Sequence, residues 1–461
     1  MLVAEVMCDS ADHHAPSSTL RPAHRATPPA ALSRRAALAG TGASLLIASR
    51  LGEATASIGR PGGAPATGAA RVSPLLRGTT LVHADLHNHT LLSDGDGDPA
   101  LAYDSMRSAG LDVAALTDHA TISDNLLAEV LEGLLPEEYR DHIGELRGLV
   151  GLTRSGWRQT QAYADAANAD GAFTAIRGFE WSEPLLGHVN VWFTDHYTDI
   201  VRLGLMRPLY DWLRREPGLV LDGGAGGLAG FNHPGREPGR FCEFRYDPRV
   251  RDQMVSLEMF NRRDDYLFEG WAEGRTSPLV ACLNAGWRTG IAGVTDEHGT
   301  DWGHPEGKGR TGLWVREHSR AGVKAAMAAR RFFATRTSGL RLAATATPRG
   351  RRPVPMGSVL PVSRGLLTLR LDVARDADWV GRELAVQVLR PGAEVPTVVD
   401  VVPFRVGDPV SLRVRIDAAD GDWLLLRISD PILPNDTPGP EGHPCNDLAI
   451  AYTSPWWLAG R

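Results

Sequence analysis

The sequence has no run of 18 uninterrupted apolar residues, which is about the length that a membrane-spanning helix needs. Basic residues never stand more than two or three in a row, and the formal net charge is −6, so the positive surface of a nucleic-acid-binding protein is missing. A glycine-rich phosphate loop of the P-loop type is absent too. We therefore expect no membrane span and no nucleic acid as a stable partner.

Cysteine is scarce in this chain of 461 residues. The spacing of the four cysteines fits neither a zinc knuckle nor a dense disulfide framework, and it predicts isolated buried thiols. One disulfide bridge remains an open alternative. The cysteines are Cys8, Cys242, Cys282 and Cys445.

Residues 1–56 have the pattern of a targeting segment. Residues 13–35 contain no acidic residue, and they end on the pair Arg34-Arg35. An apolar run over Ala39–Ala48 follows, and Ala54–Ala56 supplies small residues for a signal peptidase. The paired arginines resemble a bacterial twin-arginine export signal, which predicts a periplasmic or extracellular protein with possible cell-envelope association. An amphipathic helix or a disordered tail is the alternative, and the long basic region is compatible with a translation start downstream of Met1.

Residues 57–78 are rich in glycine and proline and predict a flexible linker. From residue 79 to 337, strand patterns alternate with helical ones, as in a parallel α/β barrel or sheet. One helix has clear ends, with Asp98-Pro99 at its start and Gly110 just past its end. The predicted strands are Thr79–His87, Asp112–Thr117, Ala172–Phe179, His188–Phe193, Leu228–Asn232, Met254–Phe260 and Ile291–Thr295.

Residues 338–461 lack helical periodicity and predict a small all-β, sandwich-like module. Short apolar segments alternate there with turn residues. The predicted strands are 366–373, Glu383–Leu389, Ser411–Ile416 and Trp423–Ile428.

Polar residues that can bind metals stand at the ends of the predicted strands. Asp85, His87 and His89 alternate along the first strand, so their side chains share one face. The carboxyl ends of barrel strands form one face, so further residues of this kind at other strand ends predict a common site. Imidazole and carboxylate ligands suit Zn²⁺, Mn²⁺ or Fe. These further residues are Asp94, Asp118, His119, Glu180, His188, His233, Asp296 and His298.

Over residues 79–335, this ordered set resembles the PHP (polymerase and histidinol phosphatase) family. The resemblance implies a distorted (β/α)7 TIM-like barrel with two to three divalent ions. The whole chain is similar to secreted PHP proteins grouped with the carbaryl-hydrolase-like metallohydrolases. The implied ligand sets are His87, His89, Glu180 and Asp296 for the first ion, Glu180, His188 and His233 for the second, and Asp94, His119 and His298 for the third.

Several further residues have predicted roles near this site. Asp118 is either an orienting group and proton carrier or the cap of a following helix. Asn261, Arg262 and Arg263 come at the end of a strand, so they can reach the active face and contact the substrate, and ordinary surface positions are the alternative for the two arginines. Asp85 is predicted to orient a ligating imidazole, whereas Glu258 is predicted to pair with an arginine rather than face the site.

The leading functional hypothesis is hydrolysis of a small phosphoester by a hydroxide that bridges the metals. The alternative is hydrolysis of a carboxylic or carbamate ester, or of an amide, at the same metals. A pocket lined by aromatic residues would favour that neutral substrate. A third hypothesis is a non-catalytic cell-surface or polysaccharide-binding protein. The aromatic candidates are Trp181, Trp192, Phe231, Phe260 and Trp302.

Overall fold

A computed structural model describes most of the chain from residue 71 onward. The predicted export segment and residues 57–70 of the predicted linker lie outside the described residues, as do residues 122–150. Among the helices of the described part, none is long and apolar enough to cross a membrane. The described residues are 71–121, 151–183, 186–200, 205–218, 222–235, 239–303 and 307–459.

The N-terminal two thirds of the described chain is mixed α/β. Its strands are β1 (Thr80–Asp85), β2 (Val113–Leu116), β3 (His119–Ala120), β4 (Thr174–Glu183), β5 (Gly187–Trp192), β6 (Leu228–Phe231), β7 (Met254–Asn261), β8 (Asp264–Asp265), β9 (Gly290–Val294), β10 (Arg310–Val315) and β11 (Phe332–Thr335). Its right-handed helices are α1 (Pro99–Ser108), α2 (Arg154–Ala167), α3 (Arg207–Arg214), α4 (Pro278–Asn284) and α5 (Arg320–Ala328). Phe241–Phe244 is a single turn with left-handed backbone angles.

The strands from β1 to β9 form a continuous series of neighbours. β1, β2 and β4 are parallel, and so are β6, β7 and β9. Beyond the strand ends, the backbone nitrogen of Asp296 donates to the carbonyl of His87 (3.0 Å), and that of His89 donates to Glu297 (2.9 Å). The segment after β9 is therefore joined to the segment after β1, which brings the first and last strands of the series together.

The expectation of an all-parallel arrangement is wrong for β5. This strand pairs antiparallel with β4 on one side and with β6 on the other. A hairpin explains the reversal, because only three residues separate Glu183 from Gly187 and a crossover helix needs many more. Gly187 has a φ of 104°, which an L side chain rarely adopts. The hairpin places Ser182 directly opposite His188.

The remaining strands agree with the prediction of a β-rich C-terminal segment. β12, β13, β15 and β18 form a four-stranded sheet, and the others extend the large sheet, since β20 pairs with β11. The proposed division at residue 337 stays a prediction. The strands are β12 (Arg341–Pro348), β13 (Val354–Pro355), β14 (Val359–Leu360), β15 (Arg364–Ala374), β16 (Glu383–Arg390), β17 (Thr397–Arg405), β18 (Val410–Asp417), β19 (Trp423–Pro434), β20 (Asp447–Thr453) and β21 (Trp456–Leu458).

Apolar side chains fill the space between the two sheets of this segment. On β15 and β18 the buried and exposed positions alternate, so one face of the four-stranded sheet packs inward. Leu369, Leu412, Val386 and Leu426 belong to one buried cluster together with Trp314 of β10. The C-terminal strands are therefore packed against the rest of the chain through a shared core.

The cysteines divide into two kinds. Cys282 and Cys445 are free and buried, as predicted. Burial raises the pKa of both thiols to about 12, which keeps them protonated and unreactive. Cys242 is disulfide-bonded.

Candidate metal centre

The nine predicted ligands lie in one cluster around a buried carboxylate, that of Glu180 at the end of β4. Glu180 is fully buried, and imidazole nitrogens of five histidines surround its two oxygens. The distances from Glu180 to these histidines are 3.1 Å for His87 Nε2, 3.6 Å for His89 Nε2, 2.8 Å for His119 Nδ1, 3.2 Å for His188 Nδ1 and 3.3 Å for His233 Nε2. Residues as distant in sequence as His87 and His233 therefore contact the same carboxylate.

The other two carboxylates lie at the edges of the same cluster. Asp296 Oδ1 is 3.3 Å from both His87 Nε2 and His89 Nε2 and 3.5 Å from His298 Nδ1. Asp94 Oδ2 is 3.4 Å from His119 Nε2 and 3.3 Å from His298 Nε2. Each carboxylate thus faces at least two imidazoles, as in a site where several cations share ligands.

Three groups of ligand atoms, each group within 4.8 Å, are close enough to hold an ion. They differ in detail from the sets that the PHP resemblance implies. His89 joins the group of Asp94, and His119 lies between two groups, with Nδ1 toward Glu180 and Nε2 toward Asp94. The groups are His87, His89 and Asp296; His119, Glu180 and His188; and His89, Asp94, His119 and His298.

Strand register sets several of these positions. His119 on β3 pairs with Glu180 on the parallel strand β4. His233 and Asp296 each come two residues after the end of a strand, and both have a positive φ, of 26° and 49°. Backbone strain of this kind in residues other than glycine costs free energy and collects at functional sites. The strand ends therefore turn these two side chains into the cluster.

A tight loop after β1 brings Asp94 to the cluster. A side chain at Gly95 would meet the backbone of His89 at 2.6 Å, so only glycine allows the loop to fold back this closely. The carboxylate of Asp118 holds the loop by accepting from the backbone nitrogen of Thr90 (2.8 Å) and from the hydroxyl of Ser93 (2.8 Å). The role of Asp118 as a proton carrier stays a prediction, and a helix cap after residue 121 would lie outside the described residues.

Burial and the neighbouring charges shift the pKa values of the cluster. Burial opposes ionisation of Glu180, but the charges of His188 and His87 hold its pKa well below the usual value. Burial opposes the protonation of His119 too, yet Glu180 and Asp94 raise its pKa to about 10. For His89, burial together with His119 and His298 lowers the pKa to about 3. Without a bound cation, protons on some of the imidazoles offset the carboxylates, and a metal would compete with those protons.

Glu258 on β7 faces this cluster, so the prediction that it pairs with an arginine is wrong. Its Oε1 lies 2.8 Å from His87 Nδ1. Its Oε2 accepts from the backbone nitrogen of His233 (2.8 Å) and from the amide of Asn261 (3.1 Å). A carboxylate bonded to the far nitrogen of a ligating imidazole fixes the ring and its tautomer. Glu258 therefore orients His87, the role that was predicted for Asp85.

Asp85 instead joins two backbone segments, and the prediction that it orients an imidazole is wrong. Its carboxylate accepts from the backbone nitrogen of Thr295 (3.2 Å), from the Thr295 hydroxyl, and from the backbone nitrogen of His87 (3.5 Å). Burial raises the pKa of Asp85 to about 6. The side chain thus links the end of β1 to the end of β9, two residues before His87 and one before Asp296.

Two polar residues that the sequence analysis did not assign contact Glu180. Ser182 Oγ is 2.5 Å from His119 Nδ1 and donates to Glu180 Oε2 (3.3 Å). The Asn232 amide donates to Glu180 Oε1 (2.6 Å). Each lies next to a predicted ligand. Ser182 lies opposite His188 in the β4–β5 hairpin, and Asn232 directly precedes His233 in the sequence. Strand parity could have placed Ser182 on the face of Glu180.

The predicted substrate residues Asn261 and Arg262 both reach the cluster. The Asn261 amide is buried and donates to Asp296 Oδ2 (3.3 Å). Arg262 is exposed, donates to the carbonyl of Asp296 (3.0 Å) and lies 3.2 Å from His298 Nδ1. The side chains of His298 and Asp94 are 28% and 21% exposed, whereas that of Glu180 is 0% exposed, so Arg262 stands at the solvent-accessible edge.

The side chains fit divalent cations. Among the described residues, the buried Nδ1 atom of His89 has no hydrogen-bond partner, although a buried polar atom without one is costly. A metal ion would accept such nitrogens as ligands. Six imidazoles and three carboxylates without any thiolate match Zn²⁺, Mn²⁺ or Fe rather than Ca²⁺ or Mg²⁺, which prefer oxygen.

Replacing Glu258 with glutamine is expected to weaken metal binding by about 10- to 100-fold, because the neutral amide holds His87 less firmly. Titration of the metal-free variant with Zn²⁺ or Mn²⁺ measures the change. Glu183→Gln is the matched control, since Glu183 is equally buried and its carboxylate accepts from the backbone nitrogen of Leu186. Equal affinities for the Glu258→Gln variant and the control would contradict the orienting role.

No protein-family model matches this sequence, and no curated protein matches it. Solved structures do match, among them the following two. One is a two-domain protein containing a predicted PHP-like metal-dependent phosphoesterase from Bacteroides vulgatus, 14% identical, with a TM-score of 0.41, over 83% of this chain and 97% of that chain. The other is a candidate metal-dependent phosphoesterase from Bifidobacterium adolescentis, 15% identical, with a TM-score of 0.26, over 49% of this chain and 90% of that chain. At these values neither match assigns a family or an activity to this chain.

Proposed function

We propose that this chain is a metal-dependent phosphoesterase that acts on a small phosphoester. The observation that carries the proposal is the gathering of six imidazoles and three carboxylates in one cluster, with five of the imidazoles around Glu180 and the guanidinium of Arg262 at the exposed edge. A structural role does not require so many ionisable groups in one buried place, because each costs free energy unless it is paired.

Bound ions would supply a hydroxide nucleophile at neutral pH and a Lewis acid that polarises the phosphoryl group. The chain's own residues do the rest. Glu180, Asp296 and Asp94 would hold the cations and offset their charge, while Glu258 fixes the His87 ring. Asn261 holds the carboxylate of Asp296, and Asp118 anchors the loop that carries Asp94.

Arg262 is the residue that we assign to the substrate. Its guanidinium stands beside His298 at the accessible edge, where it can donate to phosphate oxygens without leaving the cluster. Lys308 lies in the adjoining segment, but its ammonium is already paired with Glu297 at 2.7 Å. A guanidinium at the open edge suits an anionic substrate better than a neutral one.

The aromatic residues that would have favoured a neutral ester are not available to a substrate. All five are at most 3% exposed. Trp181 donates its indole nitrogen to the carbonyl of Asp199 (3.1 Å), and Trp192 donates to that of Leu86 (3.0 Å). No observation on the described residues therefore supports carbamate or carboxylic ester hydrolysis over phosphoester hydrolysis.

Replacing Arg262 with glutamine is expected to lower kcat/KM for a phosphoester about 10- to 100-fold. This factor corresponds to the free energy that one charge-assisted hydrogen bond contributes to binding the transition state. The measurement is steady-state kinetics on bis-p-nitrophenyl phosphate. Arg263→Gln is the control, because Arg263 is the next residue of the same turn and is exposed as well. If both variants lose the same factor, general charge on the turn and not a specific contact explains the loss.

Assays of the metal-loaded protein on p-nitrophenyl phosphate, bis-p-nitrophenyl phosphate and a naphthyl carbamate test the proposed function. We expect hydrolysis of at least one phosphoester and little of the carbamate. Elemental analysis beside the His87→Ala, His89→Ala double variant tests the cofactor. Hydrolysis of the carbamate alone, or less than one metal ion per wild-type chain, would overturn the proposal.

We further propose the PHP fold for residues 79–337, as a distorted seven-stranded barrel made by β1, β2, β4, β5, β6, β7 and β9. The continuous pairing of these strands supports it, as does the bridge between Asn88 and Glu297 beyond the ends of β1 and β9. The relation to secreted carbaryl-hydrolase-like members is part of the same proposal. A crystal structure with strands that splay open at β1 and β9 would refute the barrel.

Export is a separate proposal, supported by the paired Arg34 and Arg35, the apolar run after them and Ala54–Ala56. A periplasmic or extracellular place, with association to the cell envelope, would expose the enzyme to soluble phosphoesters outside the cytoplasm. N-terminal sequencing of the protein from each cell fraction tests it. Uncleaved protein confined to the cytoplasm would exclude export.

A further inference from the structure

A buried series of hydrogen-bonded side chains connects the C-terminal strands to the hairpin that carries Asn261 and Arg262. This hairpin consists of β7, the turn at Arg262 and Arg263, and β8, and Phe260 pairs in it with Asp265. Asp265 is fully buried, and both of its carboxylate oxygens accept from the hydroxyl of Tyr452, at 3.0 and 2.9 Å. Tyr452 belongs to β20, almost 190 residues further along the chain.

Arg427 on β19 is the third member of this hydrogen-bonded series. Its Nε donates to the Tyr452 hydroxyl (3.0 Å), and its Nη1 donates to Gln387 (2.8 Å) and to the carboxylate of Asp447. Arg427 and Tyr452 are both 0% exposed, so their hydrogen bonds are shielded from water. Burial raises the pKa of Tyr452 well above the ordinary value, so its hydroxyl keeps the proton that it donates to Asp265.

The ring of Tyr452 contacts the hairpin too, in addition to the contact made by the hydroxyl. The rings of Tyr452 and Phe260 lie 5.2 Å apart between centroids. On the other side of the hairpin, the backbone of Arg262 is held by Val294 (3.1 Å) and Gly309 (2.8 Å). Arg262 itself has a φ of 50°, a left-handed angle that needs support from its surroundings.

We propose that the hydrogen-bonded side chains of Arg427, Tyr452 and Asp265, which we call the tyrosine relay, position the β7–β8 hairpin so that Arg262 and Asn261 reach the metal centre. This inference rests on the proposed phosphoesterase function. Tyr452 and Asp265 are positioning residues, since they contact neither the predicted ligands nor the edge where a substrate would bind. The C-terminal strands thereby take part in building the site rather than forming a separate binding module.

A double-mutant cycle tests the relay. Tyr452→Phe removes the hydroxyl and keeps the ring, and it is combined with Arg262→Gln. If Tyr452 acts through Arg262, Tyr452→Phe raises KM for bis-p-nitrophenyl phosphate about tenfold alone and less than about twofold in the Arg262→Gln background. An effect that does not pass through Arg262 would change KM by the same factor in both backgrounds, and a purely stabilising role would leave KM unchanged; either result would overturn the proposal.

Ser429→Ala is the matched control. Ser429 lies on β19 and donates to the same Asp447 carboxylate (2.6 Å), but it does not touch Tyr452 or Asp265. We expect this variant to leave KM unchanged. A rise in KM equal to that of Tyr452→Phe would show that any loss of a bond in this region has the same effect, and it would overturn the relay.

Absorption of the Co²⁺-loaded protein separates this inference from the proposed function. Arg262 donates to Asp296 and lies beside His298, so a displaced hairpin changes the ligand field even if no phosphoester is hydrolysed. We expect a shifted visible spectrum for Tyr452→Phe and a wild-type spectrum for Ser429→Ala. If Tyr452→Phe does not fold, Asp265→Asn takes its place, because the neutral amide has one acceptor oxygen where the carboxylate has two and holds the Tyr452 hydroxyl less firmly. A wild-type spectrum in the folded relay variant refutes the positioning role.

Discussion

Replacement of Glu180 by glutamine is expected to remove at least one metal ion per chain and to lower phosphoesterase activity at least about a thousandfold. Five imidazoles face the Glu180 carboxylate, so its charge offsets the cations at the centre of the cluster. A neutral amide supplies no charge, and losing several kcal/mol of transition-state stabilisation corresponds to a factor of this size. Elemental analysis and initial rates on bis-p-nitrophenyl phosphate measure both effects.

Glu183→Gln provides the control for this experiment. Glu183 lies on the same strand, is 0% exposed and is bonded to the backbone of Leu186, outside the cluster. Its substitution tests whether loss of a buried charge on β4 is enough to disturb the protein. Retention of full metal content and activity by Glu180→Gln would contradict the central place of this carboxylate, and so would an equal loss in the control.

Chelation is expected to lower the thermal stability of the protein. Without cations, three carboxylates and six imidazoles lie together in a buried place. They have lost their contacts with water and are not all paired with opposite charges, which destabilises the folded protein. A ligand present at about 1,000 times its Kd stabilises the folded state by about 4 kcal/mol, which corresponds to a Tm difference on the order of 5–10 °C. Scanning fluorimetry of the Zn²⁺- or Mn²⁺-loaded protein, with and without EDTA, measures the difference.

Two pairs of histidine variants make this prediction specific. His87→Ala with His89→Ala removes ligands, so we expect no response of its Tm to EDTA. His196→Ala with His318→Ala is the control, because His196 pairs with Asp222 and His318 with the carbonyl of Asp112, both outside the cluster. An EDTA response that persists in the first pair would place the metal elsewhere.

The hairpin and the relay change the view of the C-terminal strands. Sequence patterns predict them as an independent module, yet the pairing of β11 with β20 and the bond between Tyr452 and Asp265 join them to the site-bearing part. A buried Trp423 adds a further contact, since its indole donates to Asn284 of α4 (2.9 Å). Deleting residues 340–461 would therefore remove support for Arg262 as well as the strands themselves.

The sequence by itself determined the types and the order of the proposed ligands. His87 and His89 share a strand face because of the two-residue period, and the ligands at residues 180, 233 and 296 come at or after the ends of apolar runs. Both signals are local, so they survive without knowledge of the fold. The same local patterns predicted the seven strands that pair from β1 to β9.

Only the tertiary structure decided which group faces which. Glu258 and Asp85 both sit within strand patterns, and no local signal distinguishes the partner of the His87 ring from the link to Thr295. That choice depends on how β1 lies relative to β7 and β9, both of which come more than 150 residues after it along the chain. The contact between Tyr452 and Asp265 is of the same kind, since it arises where distant strands meet and residue order carries no signal for such long-range packing.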